Sequence, residues 1–157
     1  MDYSKGVILS FSKEYRFLSN FFPCNIVHED LHFPSTEHYY QALKTTDYHT
    51  QLRVSSLSSA ADAKDFGKKI MQNNILFRDD WEDVKLKIMT EALLQKFAPD
   101  TTLAQELINT NGYILIEGNY WGDNYWGVDY KTGVGENKLG ILLMRIRHKL
   151  IHNHDNL

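Results

Sequence analysis

Trp81, Val84, Ile88, Ala92, Leu93 and Phe97 recur at helical spacing between Asp79 and Pro99. Asp79, Asp80 and Glu82 crowd the N-terminal end of that run, where the helix dipole favours negative charge, and Pro99 stops it. A helix from Asp79 to Ala98 with such a stripe needs other helices to cover it. The rest of the chain supplies candidates. Tyr48–Val54, Ser59–Met71 with Ser58 or Ser59 as cap, Thr102–Asn109, and Lys138 to His148 or beyond all read as helices. Strand signals are few and short: Gly6–Phe11, Tyr113–Glu117, and a hairpin over Ile26–Phe33 that turns at Glu29-Asp30. RFLSNFFPCN reads as irregular, and Gly118–Gly135 as a loop rich in glycine and aromatics. The fold class expected is mainly α (α+β): one compact helical domain over residues 1–157, core about 8–150, with a small antiparallel β-sheet.

Charge and cysteine narrow the function. A formal net charge of −3 argues against broad binding of a phosphate backbone, which relies on clustered Lys and Arg, but leaves room for one nucleotide in a pocket. Cys24 is the only cysteine, so no internal disulfide can form. MDYSKGVILSF has too short an apolar run for a signal peptide, and no stretch approaches a membrane span; the expected address is cytoplasmic, with no membrane partner.

The segment FPSTEHYYQALK, Phe33 to Lys44, is unusual for a helix. Ser35 or Thr36 offers an N-cap, and the helix is expected to run to about Asp47. Glu37, Gln41 and Lys44 then fall at i, i+4 and i+7 on one stripe, and the only aliphatic residues are Ala42 and Leu43. Such a stripe is either a solvated face or the wall of a polar pocket, and the pocket is the expectation here. Taken singly, Glu37 could merely complement the dipole and Lys44 could be a solvated lysine.

Three further motifs carry chemistry of differing specificity. HEDLH, His28 to His32, matches a zinc-protease pattern that requires a helix. Pro23 and Pro34 bracket it, and its flanks read as strands, so no metal is expected there. His148, His152 and His154 have helical spacing too, but sit where a basic C-terminal tail explains them. NYWGDNYWGVDY, Asn119 to Tyr130, gathers Tyr120, Trp121, Tyr125, Trp126 and Tyr130 around Asp123. Those rings either cap the core or stack on a planar heterocycle, with Asp123 able to bond a sugar or act on water. TGVGEN, Thr132 to Asn137, could admit a phosphate to the last helix, or could be a turn with Asn137 as cap.

Five motifs in order make the pattern specific: LSNF (Leu18–Phe21), STEHYYQALK (Ser35–Lys44), RDDWEDVK (Arg78–Lys85), EGNYWGDNYWG (Glu117–Gly127) and GENKLGILLM (Gly135–Met144). Together they resemble the NADAR domain family, the YbiA-like N-glycosidases, from about Ile8 to Leu150. The resemblance implies hydrolysis of an N-glycosidic bond between ribose and a base or amine, with no cofactor and no metal. The substrates it implies are ADP-ribosylated guanine, free or within DNA or RNA, and phosphorylated early intermediates of riboflavin biosynthesis. It places family function on Glu37, Lys44, Trp81, Asp123 and Trp126. The catalytic set expected is Glu37, Lys44 and Asp123. Substrate contacts are expected from Asn20 and Phe21 of LSNF, from His38 and Gln41 of the polar helix, from Trp81, Trp121 and Trp126, and from Asn137. A binding module that holds ADP-ribose or another nucleotide without cleaving it would keep the aromatic platform but would not need Glu37 or Lys44.

Overall fold

A computed structural model describes residues 3–153 of the chain. Residues up to Ser19 together with those from Phe97 onward make one compact unit, and Asn20–Lys96 makes a second.

The second unit opens with the hairpin. β2 (Pro23–His28) and β3 (Leu31–Ser35) pair antiparallel, Ile26 opposite Phe33 and His28 opposite Leu31, around Glu29-Asp30. Alternation decides what is buried: Leu31, Phe33 and Ser35 point inward while His32 and Pro34 are exposed. Ser35 ends the strand and caps α1 (Thr36–Ala42), its Oγ accepting the His38 backbone N–H at 3.1 Å. α1 packs against α2 (Tyr48–Ser55), α3 (Ala60–Met71) and α4 (Trp81–Lys96), and every residue in it is buried. Ile88, Met89, Ala92 and Leu93 carry the core face of α4. On its outer side the Gln95 amide donates to Val27 O at 2.9 Å and accepts from Val27 N at 2.8 Å, so it occupies backbone groups of β2 much as a neighbouring strand would.

α1 stops five residues short of the expected Asp47. The Asp47 carboxylate instead accepts from Thr50 N at 2.8 Å and caps α2. The chain between is tightened by Lys44 N–H to Gln41 O and Thr45 N–H to Ala42 O, and Lys44 O accepts from Arg78 N at 2.9 Å. Lys44 therefore follows the helix rather than belonging to it.

In the first unit, β1 (Gly6–Ile8) pairs with β4 (Tyr113–Leu115) in parallel, Gly6 opposite Tyr113 and Ile8 opposite Leu115. A 3-10 helix, Lys13–Leu18, occupies part of the stretch expected to be irregular and buries Phe17 and Leu18. α5 (Thr102–Asn109) and α6 (Lys138–Asn153) enclose Leu107, Leu115, Leu139 and Leu143. Arg147, itself buried, donates to Thr110 O at 2.7 Å and to Tyr113 O at 2.9 Å, which satisfies carbonyls where α5 ends. Within the loop, β5 (Gly118–Asn119) and β6 (Val128–Asp129) form a short parallel pair. Among the described residues the antiparallel sheet expected is thus the hairpin alone; the other two pairings are parallel, β1 with β4 across more than a hundred residues and β5 with β6 across the loop between them. Among the described residues no helix is long and apolar enough to cross a membrane.

Candidate active site

The second unit gathers Asn20, Glu37, Gln41, Lys44 and Trp81, all buried. Glu37 is 7% exposed and Lys44 6%, although both are charged side chains on a short helix and its exit. The reason is local. Leu18–Phe21 brings Asn20 over the start of α1, where Asn20 O accepts the Glu37 backbone N–H at 3.0 Å. Gln41, one turn on, donates from Nε2 to Glu37 Oε1 at 2.7 Å. Lys44 Nζ lies 3.2 Å from Met71 Sδ, a weak acceptor, and about equally far from the Tyr40 and Trp81 rings, 5.7 and 5.8 Å to the centroids.

This setting shifts the amine. Burial pushes the Lys44 pKa down to about 8; the Glu37 charge opposes the shift, and Lys64 and Lys68 add to it. At pH 7 about a tenth of the amine is then neutral, against a few parts in ten thousand for an ordinary lysine. A nucleophilic amine beside a carboxylate that can take or give a proton is chemistry this cluster can perform.

Two buried polar atoms here, Asn20 Oδ1 and Gln41 Oε1, have no hydrogen-bond partner. A bound sugar hydroxyl or amine could satisfy the first. His38 is placed differently from expectation. Its Nε2 donates to Leu57 O at 3.0 Å, its Nδ1 lies 2.7 Å from Ser35 Oγ, and burial holds its pKa down. Both ring nitrogens are engaged, so the neutral imidazole ties the start of α1 to Ser35 and Leu57. Phe21 is exposed on the same unit. Tyr40, Met71 and Gly67 were missed by the sequence reading. Of these only Gly67, a glycine inside a helical pattern, left a signal.

The loop residues belong to the other unit. Asp123 Oδ1 accepts two backbone N–H groups, from Tyr125 at 3.1 Å and Trp126 at 2.9 Å. Buried Asn119 clasps the same turn, accepting from Asp123 N at 2.9 Å and donating to Asp123 O at 2.8 Å. Trp126 is half-buried and meets Tyr125 edge to face at 4.8 Å; Trp121 is 66% exposed. Asn137 donates to Leu115 O at 2.9 Å and accepts from Glu117 N at 3.0 Å. With both ends of its amide bonded to backbone, Asn137 pins the loop to β4. Asp123→Asn keeps an acceptor for the two N–H groups and is expected to melt close to wild type. Asp123→Ala strips it and should cost roughly 1–2 kcal/mol, read in thermal denaturation.

HEDLH is split by the hairpin: His28 ends β2 and packs on Tyr39, Glu29-Asp30 make the turn, and His32 Nδ1 lies 3.1 Å from Asn25 Oδ1. Strand geometry does not set the glutamate beside a metal held by the two histidines. His148 and His152 stack on α6 with centroids 3.9 Å apart, and His154 lies outside the described residues. Activity is accordingly expected to survive EDTA; loss in EDTA with recovery on added zinc would reinstate a histidine site.

The sequence profile of the NADAR domain matches residues 9–151. The chain belongs to the NADAR domain family. It is 35% identical over 141 residues to N-glycosidase YbiA of Escherichia coli, covering 90% of this chain and 85% of that one. It is 37% identical over 134 residues to a riboflavin biosynthesis protein of Vibrio vulnificus, covering 85% of this chain but spanning only 35% of that longer protein. The NMR structure of the E. coli protein YbiA superposes with a TM-score of 0.79 at 30% identity, covering 98% of this chain and 89% of YbiA.

Proposed function

We propose that this chain is an N-glycosidase that cleaves the bond between a ribose and a nitrogen base or amine, with Glu37 and Lys44 as its reacting groups. The carrying observation is the burial of Lys44, with its pKa near 8, in the electrostatic reach of a Glu37 fixed by Gln41. Membership of the NADAR family supports the reaction class, as does the likeness to a relative named N-glycosidase.

Lys44 Nζ, when neutral, attacks the anomeric carbon with its lone pair. The glycosidic C–N bond breaks, its electrons stay on the departing nitrogen, and that nitrogen takes up a proton. The attached Nζ loses a proton to Glu37. The Nζ lone pair then opens the ring: the C–O bond to the ring oxygen breaks, Glu37 gives that oxygen the proton it took from Nζ and is a carboxylate again, and a protonated Schiff base remains. Water, deprotonated by Glu37, adds to the C=N carbon, and the amine leaves as the sugar aldehyde is released. Trp81, against which the amine rests, and Asn20 Oδ1 would hold the ribose. Asp123 shapes the loop around Trp126 by accepting the Tyr125 and Trp126 backbone N–H groups.

The substrate carries phosphates: ADP-ribosylated guanine, or an early phosphorylated intermediate of riboflavin biosynthesis. The name of the Vibrio relative supports the second. Incubation with both classes, with released base or amine read by mass spectrometry, tests the reading. Release from one class with steady turnover is the expected result. Tight binding of ADP-ribose with no release from any member would replace the enzyme with a binding module.

A further inference from the structure

We propose that Gly67 is a positioning residue for this reaction: the notch it leaves in α3 lets the Gln41 amide lie against that helix and hold the Glu37 carboxylate in place. The inference rests on the catalytic reading of Glu37 given above.

Gly67 sits inside α3, between Phe66 and Lys68, where glycine weakens a helix more than any residue but proline. Its backbone does not require it; its surroundings do. A Cβ at that position would lie 1.8 Å from Gln41 Oε1, 2.6 Å from Gln41 Cδ and 3.1 Å from Gln41 Cβ. The three nearest atoms all belong to one side chain, so a methyl group there forces the Gln41 amide to shift from its place. Gln41 in its present place donates Nε2 to Glu37 Oε1 at 2.7 Å while its own Oε1 is buried without a partner. The amide cannot relieve that oxygen by turning over, because the oxygen would then face the carboxylate. A buried acceptor is thus left unsatisfied while a charge-assisted bond fixes one oxygen of Glu37, and the glycine makes the room for it.

Gly67→Ala, Gln41→Ala and the double variant test this, with kcat and KM on the cleaved glycoside, thermal melting, and the Gln41 side-chain NH2 resonance in ¹⁵N-labelled protein. Gly67→Ala is expected to fold but to melt no higher than wild type, because displacing buried Gln41 and removing its bond to Glu37 offsets the better helix propensity of alanine. Its kcat should fall about tenfold or more with KM nearly unchanged, the signature of an interaction that matters in the transition state. The double variant should be no slower than Gln41→Ala, because both changes remove one hydrogen bond. The Gln41 NH2 resonance should move in Gly67→Ala and again in Glu37→Gln. Wild-type kcat in Gly67→Ala, additive losses in the double variant, or an unmoved resonance would each overturn the proposal. If Gly67→Ala fails to fold, the kcat of Gln41→Ala decides, and a wild-type value there overturns it. Should the wild-type chain release no base at all, the glycosidase reading fails by itself, and the resonance still reports whether Gly67 sets the Gln41–Glu37 bond.

Discussion

Glu37→Gln is expected to fold like the wild-type chain and to lose about a hundredfold or more in kcat. Glutamine is nearly isosteric, and its Oε1 can still accept the Gln41 Nε2 bond that the carboxylate accepts at 2.7 Å. Packing around a residue that is 7% exposed is therefore kept. What disappears is the charge and the ability to take a proton, which in general acid–base catalysis contributes about 10²–10⁴ in rate. The neighbouring amine makes the experiment sharper. Glu37 holds the Lys44 pKa up against burial, so removing its charge lowers that pKa further and leaves more neutral amine at pH 7. Lys44 becomes more available, not less. A loss of turnover in Glu37→Gln then cannot come from a silenced lysine, and points to proton transfer or to charge stabilisation at the ribose. Activity near wild type would remove Glu37 from the mechanism. A melting temperature unchanged alongside the loss would separate chemistry from folding.

Periodicity alone made some parts of this molecule readable and left others hidden. The hairpin was legible because Pro23 and Pro34 forbid a helix around HEDLH and the apolar residues alternate. α4 was legible because its apolar positions are fixed by one period. The end of α1 was not, since Asp47 fits the tail of one helix as well as the cap of the next, and only the bond from Thr50 N decides. Parallel pairing of Gly6–Ile8 with Tyr113–Leu115 joins segments more than a hundred residues apart, which no local pattern encodes. At the site, the inward stripe could be inferred from the poverty of aliphatic residues in STEHYYQALK. The amides and the imidazole were harder. Asn137 could be read as a cap, but no local pattern names Leu115 O as the acceptor of its amide or Leu57 O as the acceptor of the His38 ring. Gly67 shows the converse: a residue with no functional group, whose part is visible only in the side chain that fills its space.

Lys44→Met is expected to abolish turnover and, at pH 7, to make the protein more stable. The first effect follows from the mechanism: methionine fills much the same space and offers no amine. Borohydride added during wild-type turnover should fix a sugar-derived mass on Lys44, and Lys44→Met should carry none. Full activity in Lys44→Met, or no adduct on an active wild-type enzyme, would exclude the covalent route. The second effect follows from linkage. The folded amine titrates near 8 and the unfolded one near 10.5, so between those values the unfolded chain binds more protons. Wild-type stability therefore rises with pH across that window, and below pH 8 the full penalty of burying the charge is present. The 2.5-unit difference between those two values corresponds to at most about 3 kcal/mol at 1.36 kcal/mol per unit, less whatever the variant loses with the Glu37 interaction. Methionine has no such dependence, so its advantage should be largest below pH 8 and fade toward pH 10.5. Denaturant unfolding at pH 7 and pH 10 measures the difference directly. An advantage that stays constant with pH would mean that Lys44 is charged at its ordinary pKa, and an amine so held could not serve as the nucleophile at neutral pH.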